Sequence, residues 1–260
     1  MVILTAGIDL SQGSLVALSS ITITFTMLRF GIPVAIAAGV AAGILIGIGN
    51  GLLVAHTKIP PFVVTLAMMG IARGMALLIS DSKPIAVSVE SFTNFGRANI
   101  GGVPVSALLW FGSALLLGYI LKHRRMGRHI YAVGGSEESA RLSGVDVRLV
   151  KVMVYSLSGL LTAIGGVIWT ARLGSGSPIG GNGYEMESIA AVIVGGGSLF
   201  GGIGSVSGTV VGVLLFGVIN SLLNLAGISP YWQGTIKGAL ILAAVALSQV
   251  RRINRRSVKA

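Results

Sequence analysis

Eight stretches of this chain stay apolar for close to the roughly 20 residues that a helix needs to cross the hydrocarbon of a bilayer. They cover residues 14–30, 32–55, 62–79, 105–121, 152–171, 187–203, 207–226 and 231–250. Hydrophobic residues make up 53% of the sequence and charged ones 10%, where a soluble domain carries roughly 25% charged. That balance excludes a disordered chain and an ordinary soluble enzyme. The fold class is all-α, a polytopic helical membrane protein of about eight complete spans. The apolar stub at residues 2–8 adds a partial span at the N-terminus. Residues 1–260 then form a single transmembrane domain.

The charges fix an orientation. The formal net charge is +11, and the basic side chains are gathered rather than spread. Lys122, Arg124, Arg125, Arg128, Arg141, Arg148 and Lys151 fall in one connection, and Arg251, Arg252, Arg255, Arg256 and Lys259 in the tail. In a membrane protein such clusters mark cytoplasmic segments and do not call for a nucleic-acid partner. Segments 122–151 and 251–260 are therefore expected inside, and the four spans between them satisfy that parity. Counting backwards puts 80–104 outside and 56–61 inside. Residues 173–186 fall outside, and Asp9 on the cytoplasmic side. Arg29 reaches an outer span end, where its stem can snorkel to the interface.

The 39 glycines are the second unusual feature. Gly39, Gly43, Gly47 and Gly51 recur every four residues and make one smooth helix face; Gly208 and Gly212 repeat the spacing. Close helix packing is the plainer reading, because small residues let backbones approach in lipid. Sliding along smooth faces during a conformational change is the other. The run at residues 195–202 is too rich in glycine for regular helix. Irregular backbone at membrane depth is tolerated only inside protein or along a cavity, so this part of the 187–203 stretch should face the bundle interior.

Much chemistry is missing. No GxxxxGK[ST] loop is present to cradle ATP phosphates. There is no cysteine, and His56, His123 and His129 have no ligand-like spacing with acids, so no metal site is expected. None of the eight acids, Asp9 included, falls in the middle of an apolar stretch. Ion-driven carriers usually need an ionisable group at depth, so this speaks against ion coupling. Arg73 lies several residues inside a span end. It serves either as a structural contact to backbone carbonyls or as a polar contact along a translocation path. Asn50 and Thr65 are further candidates for such a path.

The basic connection holds the most informative motif. Ser136 is a good N-cap, Glu137 and Glu138 suit a positive helix start, and Arg141 suits the negative end. Gly144 can take the left-handed conformation that stops a helix. The spacing predicts a helix of about two turns over 136–144, too short to stand alone in water. Ala140, Leu142 and Val145 have no obvious core of their own, so such an element could seat in a groove on a separate protein. A plain linker helix on the membrane surface is the alternative.

With these residues in view, the chain resembles the membrane permeases of bacterial ABC importers for monosaccharides, the ribose-type group of the branched-chain-amino-acid/ribose permease superfamily. The resemblance runs through Gly7-Ile8-Asp9-Leu10-Ser11, Asn50-Gly51-Leu52-Leu53-Val54-Ala55 and Thr65-Leu66-Ala67-Met68-Met69 with Arg73-Gly74. It continues through the loop at 127–144, Gly183-Tyr184-Glu185, the run at 195–202 and Gly208-Thr209. Gln12 stands where relatives often have a hydrophobic residue. The resemblance implies a transport subunit that is not itself an enzyme, in the bacterial cytoplasmic (inner) membrane. It implies a second permease subunit, in a homodimer, and a cytoplasmic ABC ATPase carrying ATP and Mg. A periplasmic or lipid-anchored sugar-binding protein would deliver the substrate. By position, Ser136, Glu137, Glu138, Ala140, Arg141, Leu142 and Gly144 map onto the helix that couples to the ATPase. It also implies that residues 2–8 are the end of a longer segment, the family fold being truncated at its start. Autoinducer-2 or another sugar-like ligand is the alternative substrate. An ion-coupled secondary sugar carrier is the alternative of a different class.

Overall fold

The computed structural model describes residues 1–87, 89–229, 232–236, 238, 239 and 242. The tail at 251–260 and most of the stretch at 231–250 lie outside the described residues. After a single 3-10 turn at Val2–Thr5, the helices are α1 (Gln12–His56), α2 (Pro61–Ile79), α3 (Glu90–Arg97), α4 (Val105–His123) and α5 (Arg125–Gly135). There follow α6 (Glu137–Leu142), α7 (Val147–Leu173), α8 (Tyr184–Val194) and α9 (Val206–Leu225). Five of these, α1, α2, α4, α7 and α9, are long and apolar enough to cross a membrane.

The 45-residue α1 is two arms, because Gly31 breaks it with φ 77° and ψ 177°. That left-handed φ is open to glycine at little cost. The arms, residues 12–30 and 32–56, fold back on each other. Ser19 Oγ donates to the Gly39 carbonyl at 3.2 Å, and a Cβ on Gly39 would strike Ile23. They match the first two apolar stretches. Further along the second arm, Gly47 and Gly51 lie against Tyr155, Ser156 and Val152 of α7, where a Cβ would come within 3.0 Å of backbone. Gly43 meets Gly159 and Ala163 in the same seam. In the later pair, Gly208 faces Gly195 and Gly212 faces Ala191. The four-residue glycine spacing thus packs helix against helix.

Three expectations need correction. The stretch at 187–203 is not a full span: α8 has 11 residues, about 16 Å of helix, and the chain then leaves helix until Val206. The crossing is instead assembled from a run of turns at 178–183 and a half-length helix. From Gly176 beside Ser20 and Thr24, the chain runs down the first arm of α1 to Gly181 beside Gly13 and Val16. There α8 begins. Residues 173–186 therefore do not stay at one end of the bundle. The glycine-rich run faces the interior only in part: Gly197 and Gly201 are buried, and Gly201 and Gly202 lie against Ala6, Gly134 and Gly135, while Gly196 and Phe200 are exposed. The stub at residues 2–8 is a buried 3-10 turn followed by irregular chain.

The basic connection lies at one end of α7, together with the 56–61 turn. Val54, Val64, Leu121, Ile130, Val147, Val150 and Val154 share one core cluster there. The other end carries α3, whose Gly96 rests on Ala171, and the antiparallel pair of Ile85–Ala86 with Ser175–Gly176. Segment 80–104 is thus held beside the end of α7 remote from the basic cluster.

Candidate functional site

At the basic end, α5 was not legible in the sequence as a helix. It buries Ile130 and Val133, and its Gly134 sits under the Leu4 carbonyl and Gly202. Tyr131 Oη donates to the Gly204 carbonyl at 2.7 Å, and the Gly202 N–H to Leu4 O at 2.9 Å. These bonds join the basic connection to the run before α9 and to the first turn of the chain.

From that platform α6 projects. Ser136 caps it, accepting the Ser139 N–H at 3.2 Å, as its N-cap position demands. Its far end closes in a Schellman arrangement: Gly144 N–H reaches Arg141 O at 3.0 Å and Val145 N–H reaches Ala140 O at 3.0 Å, with Gly144 at φ 82°. The helix is the six residues Glu137–Leu142, shorter than 136–144. Ala140 does have a core after all. It is 4% exposed and belongs to the cluster with Ile130 and Val147, and Val145 packs against the same cluster. Leu142 has none and is 80% exposed. Glu137 Oε2 accepts from Lys151 Nζ of α7 at 2.7 Å, a pair that ties α6 to a span. Glu138 and Arg141 are exposed. The anchoring face is Ala140 and Glu137; the free face is Leu142, Glu138 and Arg141.

The second constellation lies inside the bundle, and the sequence reading missed its centre. Asp9 is 6% exposed, not at the basic face. Its Oδ2 accepts from Ser158 Oγ at 2.8 Å. Ser158 is eleven residues past Val147, about 16 Å along a helix about 40 Å long. Asp9 Oδ1 accepts the Ser11 N–H at 3.0 Å and the Ser11 hydroxyl at 2.6 Å. Asn50 Nδ2 donates to Ser11 Oγ at 2.9 Å, Gln12 Nε2 to Ser158 Oγ at 3.2 Å, and Ser188 Oγ to Gln12 Oε1 at 2.7 Å. Every donor in this chain points toward the carboxylate. Both arms of α1 meet α7 and α8 in it.

Of the residues expected on a path, Asn50 and Thr65 are brought to this constellation. Thr65 Oγ1 donates to Ile8 O at 3.1 Å, and Asn50 Oδ1 is buried with no partner. Arg73 is apart from it. Its guanidinium donates to Pro178 O at 2.7 Å and Gly180 O at 3.0 Å, holding the turns before α8. One signal for Asp9 was available: a lone acid between apolar neighbours just before a helix start. Among the described residues no three His, Cys, Asp or Glu side chains gather as metal ligands do.

A folded-back helix pair, an interrupted crossing and a short exposed helix at the basic end make this a polytopic helical membrane protein. The chain belongs to the family described as branched-chain amino acid transport system / permease component, whose pattern matches residues 1–245. Among curated proteins it is 43% identical over 250 residues to the ribose import permease protein RbsC of Escherichia coli (strain K12), covering 94% of this chain and 78% of that one. It is 44% identical over 251 residues to RbsC of Bacillus subtilis (strain 168), covering 95% and 78%. The D-allose transport system permease protein AlsC of Escherichia coli (strain K12) is 41% identical over 251 residues, covering 95% and 77%. No solved structure matches the chain.

Proposed function

We propose that the chain is the membrane-spanning subunit of an ATP-driven importer for a monosaccharide of the ribose, allose or arabinose kind, in the bacterial inner membrane. The observation that carries the reading is identity above 40% along nearly the whole chain to permeases named for ribose and allose. On this reading the basic end is cytoplasmic and the free face of α6 seats in an ATPase subunit, where ATP and Mg act. A binding protein delivers the sugar at the opposite end, and a second copy of the permease completes the pathway. The buried Asp9 removes the argument from acid placement against an ion-coupled carrier, so family membership carries the choice between those classes.

The test is reconstitution with an ABC ATPase and a sugar-binding protein of the ribose type. Ribose uptake that requires ATP and both partners is expected. Uptake driven by a proton or sodium gradient without the ATPase would overturn it. Because the native chain lacks cysteine, Ser136→Cys with an impermeant thiol reagent reads the orientation: labelling in intact cells from outside contradicts a cytoplasmic α6.

A further inference from the structure

Some basic side chains of this protein are engaged and others are not. Arg73 donates to two carbonyls, and Lys151 pairs with Glu137. Lys122, Arg124, Arg125 and Arg128 are exposed, and their side chains form no hydrogen bond or ion pair among the described residues. No acid occurs between residues 122 and 136, nor anywhere in α4 or α5. Four cations thus stand at the joint of α4 and α5 with no counter-charge from either helix.

The 19 residues of α4 rise about 28 Å, close to the hydrocarbon thickness of a bilayer, so this joint lies at a membrane surface. One side of α4 is an exposed apolar stripe of Leu108, Phe111, Leu115 and Tyr119, spaced three or four residues apart. Tyr119 closes the stripe at the level where interfacial aromatics sit. Its ring stacks on His123 with centroids 5.0 Å apart, and the Arg124 guanidinium carbon lies 5.3 Å from the same ring. The guanidinium is thereby held at the foot of the stripe with its N–H donors unused. A different side of α4 is turned to the first residues of the chain: Trp110, Ala114, Leu117 and Leu121 share a cavity with Met1, Ile3 and Leu4. Leu117 is two residues from both Leu115 and Tyr119, about 200° around the helix.

Stripe and cluster are continuous, so an occupant should satisfy both. Free phosphate or an acidic cytoplasmic protein would leave the stripe unused. A second copy across a two-fold axis through this face would set the two cationic clusters against each other, because such an interface pairs a patch with itself. Basic clusters at the membrane end of a span attract anionic lipids. The geometry points to a site for an anionic phospholipid of the adjacent leaflet. Its headgroup phosphate sits among Lys122, Arg124, Arg125 and Arg128, and an acyl chain lies along Leu115 and Tyr119.

The test uses the full chain in phosphatidylcholine vesicles. Because the native chain lacks cysteine, Leu115→Cys takes a single fluorophore on the stripe. Brominated phosphatidylglycerol and brominated phosphatidylcholine, each added as a minor component, then compete to quench it. Phosphatidylglycerol should bind about fivefold more tightly or better, the contribution of one cation near an anionic surface. Adding Arg124→Gln with Arg125→Gln should bring the two lipids close to equality, with the melting temperature in detergent unchanged. Lys83→Gln, at the opposite end of the bundle, should keep the preference. Equal quenching by both lipids in the Leu115→Cys protein would overturn the site, as would a preference that survives the double arginine substitution. A fluorophore that neither lipid quenches would mean that protein covers the stripe, and would also overturn it. Relief of the phosphatidylglycerol quenching by inorganic phosphate would hand the cluster to a free anion instead.

Discussion

The seam between α1 and α7 and the short helix α6 both use glycine at decisive positions, for unrelated reasons. In the seam, Gly43 and Gly159 are opposed so closely that a Cβ on either would enter the other's carbonyl. What matters there is the space the residue leaves empty. At the end of α6, Gly144 has nothing within 4 Å of where a Cβ would stand, and its φ is 82°. What matters there is a backbone conformation. The seam is satisfied within the chain. The helix α6 is only half satisfied, and its Leu142 has no intramolecular neighbour to justify it.

The contrast can be broken at four points. Gly159→Leu should have the largest effect, because rigid backbone opposes the added side chain. Overpacking of about 3 kcal/mol or more is expected, read as a melting temperature in detergent lowered by about 10 °C. An unchanged melting temperature would mean that the seam is loose. Leu142→Ala should leave the melting temperature alone yet weaken ATPase association by about 30-fold, the loss of about 2 kcal/mol from a buried apolar anchor. Equal association would make α6 a linker.

Gly144→Val comes next, since a left-handed φ costs a branched residue about 1–2 kcal/mol. Uptake should fall about tenfold with insertion intact, and Gly144→Asn should restore most of it. A Gly144→Asn variant as defective as Gly144→Val would argue that space, not conformation, is what the site needs. Smallest is Lys151→Gln, which removes the half-exposed pair with Glu137 and should cost about 0.5 kcal/mol. Uptake within about threefold of wild type is the expected result. A larger loss would show that this pair sets the pose of α6.

These glycines also show what a sequence can disclose. Four-residue spacing announces a smooth face, and Ser136 with Gly144 announces a short capped helix, because both signals are local. Apolar length located both arms of α1. It failed at α8, since an averaged run cannot distinguish a full helix from a half-length one followed by a glycine-rich loop. The depth of Asp9 was illegible for a different reason. Its partner Ser158 is 149 residues away, and only the folded seam brings them together. Thr65 and Asn50 were found as polar residues in apolar stretches, but their common neighbour, the chain at residues 8–11, was not.

The bend at Gly31 has a consequence for how the chain enters the bilayer. Between Gln12 and His56 there is no hydrophilic connection, and Arg29 is the only residue bearing a formal charge. The two arms therefore need no polar loop carried through the hydrocarbon between them. The pair can be threaded as one hairpin, with its tip already apolar apart from a guanidinium that lies over the Phe25 ring. Carrying Arg29 alone across the centre costs about 3 kcal/mol on insertion scales, and the apolar residues of the two arms repay this many times over. The biosynthetic machinery would then meet α1 as a single insertion unit, committed only once the second arm has emerged.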